Sequence, residues 1–480
     1  MSNKKEFVSS IADMEKDFPQ WYTDVVLKTE LVDYGPVKGT MVIRPYGYAI
    51  WEKIQDYLNA EFKKVGIKNA YFPMFIPESF LKREAKHVEG FAPEVAVVTY
   101  AGGEELSEKL VVRPTSETII GEMYSKWIKS YRDLPLKLNQ WCNVVRWEKT
   151  TRPFLRTSEF LWQEGHTVFD SMKSAKENTI EILEIYKKMG EELLAIPFLT
   201  GKKTESEKFA GAEDTYTIEA IMHDGKSLQS GTTHNLGQNF AKAFNIKFLN
   251  KDGVLEYGYT TSFGVSTRLI GAIVMVHGDN RGLILPPKIA PIQVVIVPIG
   301  KDNEVVINKA REIENSLKNL GVRVVVDDSP NSPGWKFNEW EMKGVPLRVE
   351  IGPRDLENNS VMIFRRDNLE KQVVSLNGLD AFVVDELDNV QKDLFVKAKI
   401  NLDTKMADHK AQSIEDLKQI LDDKKFTLAY FCGEDECADN IKAQTGATAR
   451  CIEKENLTSE HTCFACGKKA KMRTYFARSY

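Results

Sequence analysis

Two sets of side chains in this 480-residue chain have types and spacings that could do chemistry. The first is a group of thiols near the C-terminus. Cys432 and Cys437 are separated by four residues, Cys463 and Cys466 by two, and twenty-five residues lie between the pairs. Two close pairs brought together by a fold supply four thiolates in a tetrahedron, which suits zinc. A closed four-sulfur site leaves no position for substrate, so its role would be structural, stabilising a segment too small to build much core. Four unrelated buried cysteines are the competing reading, and His461 is a weaker substitute ligand. Cys142 and Cys451 stand alone and read as small apolar groups.

The second set is arginines. Arg146 sits in a strand-like apolar run beside Trp147 and Glu148. An arginine on a sheet interior needs a partner, and its planar fork suits phosphate or carboxylate. Arg156 lies near the far end of a charged loop, and Arg268 stands where a strand turns into a helix. Any one of them could be a solvated or salt-bridged side chain. Their neighbours add weight: Phe160 and Trp162 offer stacking faces, and Gln229, Thr232 and His234 lie in QSGTTHNLG, where glycine lets the backbone approach a ligand closely. No G-x-x-x-x-G-K-[ST] loop and no G-x-G-x-x-G after a strand is present, so a bound nucleotide would rest on another scaffold.

The elements that must position these groups follow from periodicity. Residues 47–65 place Ile50, Ile54, Leu58 and Phe62 on one helix face. NAYFPMFIP reads as a strand ended by prolines. WCNVVRW and FLWQEGHTVF read as a long hairpin whose tip is the basic loop EKTTRPFLRTSE. SFGVS predicts a strand and RLIGAIVMVHGD a helix. Three prolines between Leu285 and Ile292 mark a linker. Beyond it strand and helix alternate to about residue 395, the pattern of a compact α/β domain.

Composition sets outer bounds. Apolar residues make up 42%, and 69 acidic against 65 basic side chains give a net charge of −4, which excludes a disordered polyelectrolyte and a nucleic-acid binder acting through bulk charge. No run approaches the roughly 18 apolar residues of a membrane span. The start, MSNKKEFVSS, is followed by no apolar segment, so no secretory signal is expected, and sparse cysteine fits a cytoplasmic location.

Five blocks in order carry a resemblance: the helix after Gly47 running into the strand that ends at Pro73, then VRPTSET, then NVVRWEKTTRPFLRTSEF, then QSGTTHNLGQNF, then GVSTRLIGAIVMVHGDNRGLILPP. With the cysteine-bearing tail, they resemble class II aminoacyl-tRNA synthetases, and within them the prolyl-tRNA synthetases of the type found in archaea, eukaryotes and some bacteria. The resemblance implies an α+β multidomain fold. Residues 1–285 would form a class II catalytic domain on an antiparallel sheet flanked by helices, 286–395 an α/β anticodon-binding domain, and 396–480 a small α/β zinc-binding domain. It also implies residue roles. Arg146 matches the arginine on the α-phosphate and the amino-acid carboxylate. Glu148, Arg156 and Thr157 match residues that hold ATP, Phe160 the aromatic on adenine, and Arg268 the arginine over the other adenine face and at the γ-phosphate. Gln229, Thr232 and Ser266 match further ATP contacts. For proline, Thr115 and Glu117 would receive the secondary ammonium, and Trp162, Glu164, His166 and His234 would form the pocket, with KFAGAEDT nearby. Arg348, Glu350 and Arg354 in LRVEIGPRD would contact the anticodon, with solvated surface charge as the alternative.

The implied activity is proline–tRNA ligation in two steps, with ATP as substrate, Mg2+ on its phosphates, structural Zn2+, tRNA(Pro) and L-proline as partners, a homodimer, and no membrane association. A catalytically silent tRNA-binding or regulatory paralogue is the competing function, and an unrelated ATP-dependent ligase on the same fold a third; the presence of both Arg146 and Arg268 speaks against the silent form. Some relatives carry an editing insertion, for which the stretch from 170 to 260 has no room, so misactivation of alanine without its correction is expected. Tyr480 is expected to reach back towards the catalytic domain.

Overall fold

The computed structural model describes residues 11–81, 95–300, 303–408, 411–457 and 460–480. Its centre is an eleven-stranded sheet. The catalytic block contributes β1 (Lys68–Asn69), β2 (Leu136–Val145), β3 (Glu159–Phe169), β4 (Leu199–Lys202), β5 (Asp214–Ile221), β6 (Ser227–Gly237) and β7 (Tyr259–Ser266). They lie in the order β4-β5-β6-β7-β3-β2-β1, antiparallel except for the short parallel pairing of β1 with β2.

Helices flank this sheet. Helix α1 (Phe18–Lys28) starts at Asp17, whose side chain accepts from the amide of Gln20, and it buries Trp21, Tyr22, Val25 and Val26. Such a cap satisfies an amide that the first turn leaves without a partner. Helix α2 (Pro45–Lys64) buries the predicted stripe of Ile50, Ile54, Leu58 and Phe62. Helix α3 (Glu117–Trp127) begins at the end of the cavity described below, and α4 (Met172–Met189) lies across the sheet with Ile182, Tyr186 and Met189 inward. Residues 170–260, which leave no room for an extra domain, are occupied by α4, three of the central strands, the start of a fourth and short flanking elements.

Helix α5 (Arg268–His277) is buried along most of its length. A helix apolar on all sides belongs inside a large core, and it fixes the position of the arginine at its first residue.

The middle block is a second, five-stranded sheet. Strand β8 (Val294–Pro298) pairs in parallel with β9 (Val324–Val326) and β10 (Leu347–Ile351); β11 (Ser360–Arg365) and β12 (Lys371–Ser375) continue it antiparallel. Helix α6 (Glu304–Asn319), capped by Asn303, covers it with Val306, Ala310, Ile313 and Leu317. The alternation of strand and helix expected beyond the proline linker is present in these spans. Arg366 joins the middle block to the catalytic one: its two terminal nitrogens lie 2.8 and 2.6 Å from the carboxylate of Asp279.

A 27-residue helix, α7 (Leu379–Lys405), runs unbroken from the middle block into the cysteine-bearing segment. That segment adds β13 (Met406–Asp408), β14 (Phe426–Phe431), β15 (Thr448–Glu455) and β16 (Met472–Ala477). These strands continue the catalytic sheet, since Ile452 of β15 pairs with Lys202 of β4. Gly201 permits this approach, because a Cβ there would lie 2.3 Å from the carbonyl of Ile452.

Candidate active site

The β2–β3 hairpin presents alternate residues to one face. Phe160, Trp162, Glu164 and His166 therefore line the same cavity, while the register sets His166 opposite Ser262 of β7 and Ser262 opposite His234 of β6. The cavity measures about 310 Å³ and also takes Thr115, Glu117, Arg146, Gln229, Thr232, Ser266 and Arg268 into its wall.

One end is organised around carboxylates. Glu117, Glu164 and His166 bring ligating atoms within 4.8 Å of one another. Glu164 accepts from the Ser116 hydroxyl, from Gln140 Nε2 at 2.7 Å, and lies 3.0 Å from His166 Nε2. Burial alone would raise the Glu164 pKa, but His166 and these donors outweigh it and hold the carboxyl below its usual range. Burial works against a charged His166 too, yet the Glu164 hydrogen bond and the charges of Glu117 and Glu164 raise its pKa. Glu164 is thus committed to His166, while Glu117 accepts from the Thr115 hydroxyl and lines the cavity. His234 is held by Thr215 at Nδ1 (2.9 Å) and Thr232 at Nε2 (3.0 Å), with the Phe209 ring 4.6 Å away.

The other end gathers cations. Arg146 follows directly after β2, donates from Nε to the carbonyl of Pro114, and lies 5.5 and 5.4 Å from the ring centres of Phe160 and Trp162. Arg268 donates to the carbonyls of Leu155 and Gln229. Burial, followed by the charges of Arg146 and Arg156, pulls the Arg268 pKa down to about 10. It remains a cation at neutral pH, in a place where positive charges repel one another. An arrangement of that kind favours a polyanion.

Glu148, Arg156 and Thr157 do not form the cavity wall. Arg156 pairs with Glu148 at 3.2 Å across the loop, with the arginine largely exposed. Thr157 donates to the carbonyl of Glu159 and faces a separate cleft with Met41, Ile43 and Tyr48. In the middle block Arg348 is buried between the rings of Phe337 and Phe364, 2.8 Å from Glu350, whereas Arg354 is exposed.

Three wall or near-wall groups escape sequence reasoning. Ser262 has a buried hydroxyl with no hydrogen-bond partner, on a strand whose alternation with Gly264 and Ser266 was the available signal. Lys203 and Glu219 meet at 2.8 Å inside the protein, sixteen residues apart, with nothing in their local sequence to announce it.

The four C-terminal thiols converge. Cys437 and Cys463 lie 3.9 Å apart and Cys466 and Cys432 3.7 Å apart. A zinc ion with bonds of about 2.3 Å in a tetrahedron needs sulfurs about 3.8 Å apart, so the site fits the metal. Cys142 and Cys451 are buried elsewhere. Tyr480 packs against the catalytic core, donates to Asp224 at 2.6 Å and has Lys226 over its ring, outside the main cavity.

Comparison with known proteins agrees with this layout. Residues 98–277 match the tRNA synthetase class II core domain (G, H, P, S and T), 293–386 the anticodon binding domain, and 414–480 the prolyl-tRNA synthetase C-terminal domain. The proline–tRNA ligase of Alkaliphilus oremlandii is 59% identical over the full length of both chains, and proline–tRNA ligase 2 of Clostridioides difficile is 56% identical over 100% of this chain and 99% of its own. The crystal structure of prolyl-tRNA synthetase from Cryptosporidium parvum, complexed with halofuginone and AMPPNP, superposes with a TM-score of 0.94 at 42% identity, covering 98% of this chain and 99% of that one.

Proposed function

Because this chain belongs to the prolyl-tRNA synthetase family, we propose that its cavity joins proline to ATP and then to the 3′ end of tRNA(Pro). The chain is an aminoacyl-tRNA ligase, a proline–tRNA ligase by activity. One observation carries the assignment of its site: a carboxylate end and a cationic end share one cavity, with Arg146 in its wall.

In the first step a proline carboxylate oxygen attacks the α-phosphorus of ATP, and pyrophosphate leaves. In the second the terminal adenosine hydroxyl attacks the prolyl carbonyl, and AMP leaves. Glu117 and Thr115 receive the proline ammonium, since a cation removed from water needs a partner. Glu164 holds His166, and His234 closes the pocket beside Trp162. Arg146 stabilises charge where carboxylate meets phosphorus. Arg268 binds the triphosphate opposite Phe160, with Gln229, Thr232 and Ser266 along the nucleotide. The Glu148–Arg156 pair and Thr157 hold ATP from the loop. Magnesium, when bound to the phosphates, supplies further neutralising charge, held mainly by ATP oxygens and water.

Cys432, Cys437, Cys463 and Cys466 hold a structural zinc. Arg354 offers a hydrogen-bonding edge to an exposed anticodon base or phosphate, and Arg348 and Glu350 form a buried pair on the preceding strand. The exposed apolar side chains of Val42, Tyr48, Tyr71 and Phe75 support a homodimer built on this part of the chain. ATP–pyrophosphate exchange with each amino acid tests the central reading. Proline gives robust exchange and alanine a weak one. Absence of proline-dependent exchange would overturn it.

A further inference from the structure

Beneath the cavity wall lies a buried cluster drawn from two parts of the chain. Lys203 Nζ is 2.8 Å from Glu219, and Arg450 of β15 reaches the same carboxylate with Nε at 3.2 Å and Nη2 at 3.0 Å. Their side chains are 1%, 0% and 6% exposed. Thr217 and Ser227 add neutral donors to Glu219. The cluster therefore holds two cations against one anion out of water. A buried excess of charge opposes folding unless something offsets it, and apolar side chains would serve stability better. Here the excess lies at the cavity that already holds Arg146 and Arg268, with Lys203 in the wall. Glu219 pairs across the sheet with Gln229, whose carbonyl accepts from Arg268.

We propose that Arg450 is a positioning residue for ATP binding: by sharing Glu219 it holds Lys203 in place and keeps the Lys203 charge directed at the triphosphate end of the cavity. The cysteine-bearing segment then completes the nucleotide site. Without Arg450, Glu219 would neutralise Lys203 alone, and the field at the phosphates would weaken. Neighbouring geometry keeps Arg450 in register: Ile452 pairs with Lys202, and the Cβ of Cys451 lies against Gly201.

This inference rests on the synthetase reading, and wild-type exchange with proline separates the two, because its absence would defeat that reading whatever the variants do. In the full chain, Arg450→Ala raises the ATP KM in proline-dependent exchange about tenfold while the proline KM moves less than twofold. Arg450→Lys recovers part of the loss. Lys203→Met gives the same selective rise, and Lys203→Met with Arg450→Ala is no worse than Lys203→Met alone. Equal shifts in both KM values, multiplicative effects in the double variant, or a lowered melting temperature with unchanged KM values would show a merely structural pair. Should Arg450→Ala fail to fold, an unchanged ATP KM in Lys203→Met overturns the proposal by itself.

Discussion

Arg365 in the middle block and Arg268 in the cavity wall are buried in opposite ways. Arg365 sits among Asp367, Glu386 and Asp393; burial pulls its pKa down, but the three carboxylates outweigh it and raise it. Arg268 donates to backbone carbonyls, and burial together with Arg146 and Arg156 lowers its pKa to about 10. The first pattern is that of a structural ion pair. The second disfavours the charged form, and a ligand that brings negative charge would offset it.

The largest expected effect tests that contrast directly. Arg146→Ala lowers kcat/KM for proline-dependent exchange about 1,000-fold, the magnitude seen when one transition-state donor is lost, whereas Arg365→Ala leaves exchange within a few-fold and lowers the melting temperature. Equal losses of exchange in the two variants would erase the distinction.

Helix α5 carries both kinds of group, with Arg268 at its start and a structural histidine at its end. His277 Nε2 donates to the carbonyl of Leu194 at 2.8 Å, and burial pulls its pKa to about 4. The folded state thus favours the neutral ring. Its stabilisation is complete above the ordinary value of 6.5 and is lost as pH falls towards 4. The loss amounts to roughly 3 kcal/mol. Urea unfolding followed across this window shows that slope, and His277→Asn flattens it.

A smaller effect belongs to the tether between the blocks. Arg366→Ala leaves Asp279 without its bidentate partner and lowers stability by about 2 kcal/mol, reduced from a fully buried pair because Asp279 is partly exposed. Calorimetry then resolves separate transitions for the catalytic and middle blocks. The smallest effect is at the C-terminus. Tyr480→Phe removes the hydrogen bond to Asp224 and lowers the denaturation midpoint by the equivalent of about 1 kcal/mol, with exchange rates altered less than removal of Arg146 alters them.

Much of the fold was legible because its signals are local. The stripe of Ile50, Ile54, Leu58 and Phe62 defines α2 by period, and the paired aromatic runs on either side of EKTTRPFLRTSE define the β2–β3 hairpin. Cys432, Cys437, Cys463 and Cys466 announced themselves by spacing, and their sulfurs meet. Arg146, Arg268, Glu117 and His234 stand out through the resemblance of their motifs, and all four line one cavity. Arg348 and Glu350 looked like surface groups in LRVEIGPRD, but β10 is a central strand, so the alternation of its side chains turns both inward, against each other.

By itself the sequence determined the element types, the thiol set and the chemical classes of the site, because these depend on side-chain period and on motifs within a few residues. Tertiary structure alone decided that β15 extends the catalytic sheet, that Ser262 sits unpartnered between His166 and His234, and that Glu219 is shared by Lys203 and Arg450. The Glu219–Arg450 contact joins residues 231 positions apart. Non-local pairing of that range leaves no periodic trace, since it is set by how strands stack and which charges remain to be offset once water has been excluded.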